Sequence, residues 1–216
     1  MKYAKMLGLL VVAAAALMAF AGSASATELT DGTNTKLPVG TVIHANNTTN
    51  TVLDGTVNIT CKKSTIQGSV TNAGGSTTTV EGSISTLTFE ECGNNTVTVS
   101  KGGTLIAHTH QHQASDGTWT ETEGTTYASL TSTGAEVTVL THNILGTVHC
   151  IYKTNATPIG TVHNSDHQDA TGLATTAVVT VDSLPIPQTP TDFGCGSNAE
   201  WTATYSIDSP DHLDID

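Results

Sequence analysis

Apolar and polar residues alternate with a period of two along much of the chain. Near the C-terminus, Trp201, Ala203, Tyr205 and Ile207 fall on one face of an extended segment, with Thr and Ser at the positions between them. Because successive side chains of a strand point to opposite faces of a sheet, this alternation predicts a half-buried β-strand. The same period occurs in the segments 96–99, 136–140 and 176–181.

Turn signals separate these alternating segments, at intervals of about eight to twelve residues. Thr, Val and Ile dominate between the turns, and such β-branched side chains fit a pleated surface. Together these features predict an all-β fold of antiparallel hairpins, an Ig-like or jelly-roll-like β-sandwich. The turn signals are Asp54-Gly55, Gly74-Gly75, Gly93-Asn94, Gly102-Gly103, Asp116-Gly117, Gly134 and Gly172.

A partial β-solenoid is the alternative fold, because Gly-Thr-Val or a close variant recurs along the chain. The motif begins at Gly40, Gly55, Gly68, Gly146 and Gly160, with spacings of 15, 13, 78 and 14 residues. A solenoid of stacked repeats needs a fixed period, which these spacings lack. The sandwich is therefore the preferred prediction.

The first 26 residues have the three zones of a signal peptide. Lys2 and Lys5 supply positive charge, residues 6–20 are almost entirely apolar, and Ala24-Ser25-Ala26 offers small residues to a signal peptidase. The apolar stretch is shorter than the roughly 20 residues that span a membrane, and no second one follows. We expect a protein that is secreted or held at the cell surface, with no membrane span in its mature form.

The remaining chain has the length of one domain. The boundaries that we predict are a signal peptide at 1–26, a flexible N-terminal segment at 27–48, a single sandwich domain at 49–208 and an acidic tail at 209–216.

Charge narrows the range of partners. Removing Lys2 and Lys5 takes the formal charge from −12 to −14, and the chain contains no arginine. Phosphate recognition requires clustered Lys and Arg, so nucleic acid is excluded as an expected partner. Other surface proteins or extracellular matrix are the partners we expect.

Four cysteines, Cys61, Cys92, Cys150 and Cys195, follow the signal peptide. In an oxidising compartment they can form two disulfides, with three pairings open. We favour the sequential pairing, Cys61 with Cys92 and Cys150 with Cys195. A zinc site is the alternative, but it requires cysteine pairs two to four residues apart.

The order of motifs is similar to that of a family of secreted, β-rich actinobacterial proteins of unknown function. The resemblance covers most of residues 50–210 and rests on the signal peptide, the four cysteines and the closing motif Ala199-x-Trp201-x-x-x-Tyr205. The signal peptide and the Cys-containing β-rich pattern are also similar to those of secreted activators of alkane oxidation. The resemblance implies export, a disulfide-bonded β fold, cell-surface association without a known catalytic set, and the sequential cysteine pairing.

His108, His110 and His112 form the most distinctive local pattern. On one continuous strand their side chains would share a face, about 6.8 Å apart in successive steps. Imidazole binds zinc or copper, but a complete site needs a ligand from elsewhere. The alternative is a solvated edge strand with no cofactor. Candidates for the further ligand are His142, His149, His163, Asp166 and His167.

Trp119 lies beside a turn among threonines and is a candidate for stacking on a sugar ring. The chain contains neither a Gly-x-Ser-x-Gly elbow nor a phosphate-binding loop, and no complete catalytic set is recognisable. We therefore expect a non-catalytic cell-surface or extracellular-matrix protein. The alternative function is a metal- or glycan-binding module centred on His108, His110 and His112.

Overall fold

The structure, a computed structural model, describes residues 27–31, 33–55, 58–75, 78–109, 111–113, 119–121, 127–143, 146–164, 177–189, 195 and 198–215. The predicted signal peptide lies outside these residues. In the described part every regular element is a β-strand. The strands are β1 Thr27–Thr30, β2 Val42–Asn47, β3 Thr51–Asp54, β4 Ile59–Cys61, β5 Lys63–Gly75, β6 Thr78–Glu90, β7 Thr96–Lys101, β8 Thr104–Thr109, β9 Gln111–Gln113, β10 Trp119–Glu121, β11 Tyr127–Thr133, β12 Glu136–Asn143, β13 Gly146–Lys153, β14 Thr157–Asn164, β15 Ala177–Thr189, β16 Asn198–Ser209 and β17 Asp214–Ile215.

Eight strands pair into a closed ring. Its order is β2, β5, β6, β8, β11, β14, β15 and β16, and β16 pairs again with β2. All of these pairings are antiparallel. In β16 the side chains of Ala203, Tyr205 and Ile207 are buried, whereas Thr202 is exposed. The alternation seen in the sequence thus separates the interior of the ring from its outer surface.

A second, open sheet continues from the ring through two shared strands. Its order is β4, β3, β16, β15, β13, β12 and β7, and its pairings are also antiparallel. The first part of β16 pairs with β3, at Trp201 with Leu53, and its later part pairs with β2, at Tyr205 with Asn47. β15 divides in the same way, at a register shift after Val181. The long strands β15 and β16 therefore belong to both sheets.

Each sheet encloses its own hydrophobic core. The ring core is aliphatic apart from Tyr205 and includes Val70 and Leu130. The open-sheet core includes Val139, Tyr152 and all four cysteines, with Cys195 packed at its margin. Trp201 packs against both cores, as expected for the position where β16 passes from one sheet to the other.

Both disulfides belong to the core of the open sheet. Cys61, the last residue of β4, bonds to Cys92, which lies between β6 and β7, two residues beyond the Lys63–Glu90 pair of β5 and β6. Cys150 in β13 bonds to Cys195, which precedes β16. The sequential pairing is confirmed, and the zinc alternative is wrong because all four sulfurs are consumed. Two disulfides indicate folding in an oxidising compartment.

Strands from both ends of the described chain meet at the ring. β1 pairs with β17, placing Leu29 opposite Ile215, and β1 also pairs with β5. Leu29, Leu213 and Ile215 are buried in the ring core. The fold thus takes in parts of segments 27–48 and 209–216, which the sequence analysis placed outside the domain, because their few apolar residues fill the ring.

Gly74 allows β1 to lie against β5. Its φ is +83°, and a Cβ at this position would collide with the backbone carbonyl of Thr27. Only glycine combines this left-handed conformation with so close an approach of a second backbone.

The predicted all-β, antiparallel fold with two disulfides is confirmed. The two faces of the predicted sandwich are parts of sheets that curl and share strands. Because the described pairings are antiparallel, the solenoid alternative of stacked parallel repeats is not formed in this part of the chain. A search of the described residues for a helix able to cross a membrane finds none.

Candidate functional site

The described parts of the histidine segment lie in two strands, β8 up to Thr109 and β9 from Gln111. His108 pairs with Ser129 within the ring, whereas His112 pairs with Thr120 in the two-stranded sheet of β9 and β10. His110 and the side chain of His112 lie outside the described residues. The shared face of the three imidazoles therefore stays a prediction.

His108 is partly buried, and this burial lowers the pKa of its imidazole. The hydroxyl of Ser129 donates a hydrogen bond of 3.2 Å to the backbone carbonyl of His108. At neutral pH the ring is therefore uncharged.

The candidate further ligands fall into two groups. His142 and His149 are exposed on the β12–β13 hairpin, where the Thr147 hydroxyl lies 3.0 Å from Nδ1 of His142. The side chain of His163 and the whole of Asp166 and His167 lie outside the described residues. Within the described part of the chain, no three His, Cys, Asp or Glu side chains come together as a metal site.

Trp119 begins β10, and its backbone pairs with Gln113. Its side chain is outside the described residues, so the proposed stacking on a sugar stays a prediction.

The structure also joins a His and an Asp that the sequence analysis did not single out. Nδ1 of His44 lies 2.6 Å from Oδ1 of Asp208, and the Asn46 amide donates a 2.8 Å hydrogen bond to the other carboxylate oxygen. These side chains lie on the outer surface of the ring, beside the register shift where β16 pairs with β2. The cluster connects β2 to the end of β16 across this irregularity.

An apolar cavity lies inside the open sheet, where it meets the ring. Its volume is about 70 Å³, and its walls are almost entirely apolar. The open sheet contributes Val139 and Tyr152, and the ring contributes Ile66 and Leu105. We call this space the junction cavity.

Two aromatic side chains line the junction cavity together. The rings of Phe89 and Trp201 pack edge to face, with centroids 5.5 Å apart and planes inclined by 65°. The indole Nε1 of Trp201 is buried, and no acceptor among the described residues lies within hydrogen-bond distance. A buried N–H donor without an acceptor is costly, and native proteins rarely leave one unpaired.

A short chain of hydroxyl groups lies beside the cavity. The hydroxyl of Tyr205 is 2.8 Å from that of Ser64, which is also 2.8 Å from the Thr88 carbonyl and donates to it. Burial raises the pKa of Tyr205, although its hydrogen bonds to Ser64 and Thr51 act in the opposite direction. This phenol therefore stays protonated well into alkaline conditions.

A second cavity of about 130 Å³ lies within the ring, beneath Leu29 and Leu213. We call it the ring cavity. Ile66 and Leu105 line both cavities and thus form the wall between them. Neither space is recognisable from the sequence, because the residues that line each one come from segments far apart along the chain.

No protein-family model, no curated protein and no solved structure matches this chain.

Proposed function

We propose that the protein is an exported, non-catalytic β protein that acts at the cell surface or in the extracellular matrix. The observation that carries this proposal is the placement of both disulfides in the core of the open sheet. The open sheet has unpaired edge strands, and covalent bridges in such a sheet suit a protein that must persist outside the cell.

The chemistry of the interior supports a role without catalysis. Among the described residues, the buried polar side chains are those of Thr and Ser together with the phenols of Tyr152 and Tyr205. Catalytic sites generally place ionisable groups in a cleft where burial or neighbouring charges shift their pKa. Here the ion pairs of Lys63 with Glu91 and of Lys153 with Glu136 lie at the surface.

Export is tested by fractionating cells that express the full-length chain and sequencing the recovered protein from its N-terminus. We expect the protein in the medium or on the cell surface, beginning at Thr27. Recovery only from the cytoplasm, with Met1 or Lys2 still present, would contradict the proposal.

Durability is tested by timed digestion with a nonspecific protease, with and without a reductant. We expect the oxidised protein to survive at least tenfold longer than the reduced protein. The double variant Cys150→Ser with Cys195→Ser should lie between the two, since it keeps the Cys61–Cys92 bridge. Equal lifetimes would show that the bridges do not serve persistence.

The alternative is a metal-binding module at residues 108–112, and metal analysis separates it from the main proposal. Zinc or copper retained at one ion per chain after dialysis, and lost in His108→Ala with His112→Ala but not in His44→Ala, would favour the module. Substoichiometric metal in all three proteins would favour the non-catalytic surface role.

A further inference from the structure

The ring cavity lies where the inner face of the ring carries small residues. Gly82 of β6 pairs with Val70 of β5 and with Leu105 of β8, and all three line the cavity. Because residues that pair across neighbouring strands share a face, Gly82 occupies an inward position without a side chain. Ala45 and Ala107 line the same space. Larger apolar side chains at these three positions would fill it.

The backbone does not require glycine at position 82. Its φ is not positive, and a Cβ there would meet only the backbone carbonyl oxygen of Ser69, at an ordinary contact distance of 3.5 Å. Gly74 differs in both respects, since it has a positive φ and lies against a second backbone. A glycine inside a strand weakens that strand. The effect of Gly82 that the structure shows is therefore the space that it leaves inside the ring.

The wall of the ring cavity is almost entirely apolar. Of the described residues that line it, Glu81 alone has a polar side chain. Glu81 pairs with Ile106 and alternates with the inward Gly82, so it belongs to the outer face of β6. There its carboxylate accepts a hydrogen bond of 3.3 Å from the hydroxyl of Thr79. A water needs two to four polar partners, whereas an apolar wall takes up small apolar molecules.

We propose that the ring cavity binds one compact hydrocarbon of about six carbon atoms. A dry apolar cavity of about 150 Å³ is able to hold benzene, and the volume of the ring cavity is about 130 Å³. A ring of eight strands has an interior wide enough for side chains or for one small ligand. The junction cavity, at about 70 Å³, is too small for the same molecule. This inference goes beyond the proposed surface role and does not depend on export.

The ligand enters beside β1, where the ring cavity is covered by the shortest strand pairings. Leu29 and Leu213 line the cavity and are themselves buried, so they shield it from water. β1 is joined to β17 by two residue pairs and to β5 by two more. Short ladders near the ends of a chain open locally at low cost, which admits a small molecule without unfolding the ring.

The test is a titration with benzene, followed by the methyl resonances of the chain without residues 1–26, with its disulfides intact. We expect the methyl groups of Val70 and Leu130 in the ring cavity to shift saturably, with a dissociation constant of about 1 mM. Those of Val97, which lines the junction cavity alone, should stay in place. Absence of a saturable shift, or the same response at Val97, would overturn the proposal.

Phenol serves as the matched probe, because it has the shape of benzene and adds one hydroxyl group. That hydroxyl loses its hydrogen bonds to water and finds no partner on an apolar wall, so phenol should bind at least about tenfold more weakly. Equal affinity for the two probes would overturn the proposal.

The variant Gly82→Val tests whether the space left by the glycine is the binding site. Its side chain fills the cavity, so we expect the saturable benzene shift to be lost while cooperative unfolding is retained. Val97→Ile is the matched control, since it adds bulk to the junction cavity and should bind benzene as the wild type does. If Gly82→Val does not fold, Gly82→Ala replaces it and should bind several-fold more weakly. Undiminished binding by the folded Gly82 variant would overturn the proposal.

Discussion

The closed ring and the open sheet solve the problem of exposed strand edges in different ways. In the ring every strand has two neighbours, and its core contains no cysteine. The open sheet ends at β4 and β7, and both disulfides belong to its core. The comparison teaches that both covalent bonds stabilise the core of the sheet that keeps free edges, whereas the core of the closed ring contains none.

The largest expected effect comes from removing the bridges. The closed loops span 31 and 45 residues, so each double Cys→Ala variant should lose roughly 4 kcal/mol of unfolding free energy. Hydrogen exchange should accelerate in β7, β12 and β13 while β5, β6 and β8 keep their protection. Uniform acceleration across both sheets would show that ring and open sheet unfold as one unit.

The ring has its own vulnerable point at Gly74. The variant Gly74→Ala should lose about 3 kcal/mol in urea unfolding, because the new Cβ meets the Thr27 carbonyl and the residue keeps a positive φ. Gly40→Ala is the matched control, since φ there is +91° but nothing lies within 4 Å of the new Cβ. It should lose only about 1 kcal/mol. Equal losses would mean that β1 does not hold the ring as described.

A pair of buried valines compares the packing of the two cores. Val70 in the ring and Val139 in the open sheet are each 1% exposed, and each lines one of the cavities. We expect Val70→Ala and Val139→Ala to cost about 2 kcal/mol each, measured by urea unfolding of the oxidised protein. A cost for one less than half that of the other would show that one core is the more loosely packed.

The smallest effect concerns alkaline pH. Burial raises the pKa of both Tyr205 in the ring and Tyr152 in the open sheet. Above pH about 10 the unfolded chain releases these phenolic protons while the folded chain retains them, so stability is present below that pH and falls above it. The slope should not exceed about 1.4 kcal/mol per pH unit for each group.

Single Tyr→Phe variants show which sheet is responsible for the loss of unfolding free energy at alkaline pH. Both Tyr205→Phe and Tyr152→Phe should flatten the fall in unfolding free energy between pH 10 and 11. Tyr205→Phe should also cost about 1 kcal/mol at neutral pH, because the hydrogen bond to Ser64 is lost. An unchanged alkaline slope in both variants would contradict the assignment.

The sequence contains enough information for the local parts of this fold. Alternation predicts which side of β16 is buried, since Ala203, Tyr205 and Ile207 follow one another at a period of two. The cysteine pairing was also predicted correctly, because each cysteine bonds to the one next to it in the order along the chain, Cys61 to Cys92 and Cys150 to Cys195.

The features that the sequence did not reveal depend on contacts between distant segments. Leu29 pairs with Ile215 across nearly the whole described chain, and neither short apolar segment looks like a core on its own. The junction cavity likewise arises only where two sheets meet, at Trp201. The strand partners of the histidine segment also depend on distant residues, since His108 pairs with β11 and His112 with β10 although both lie in one polar stretch.

The sharing of β15 and β16 by both sheets also determines the order in which the molecule can fold. Strands β2 to β14 precede them in the chain, so neither the β16–β2 seam that closes the ring nor the open sheet can be completed until the chain from Ala177 onward has been made. Contacts of such high sequence separation make folding slow. During that delay the hairpins already formed would present unpaired edges at β2 and β14, so the nascent chain needs protection from aggregation until β16 closes the seam.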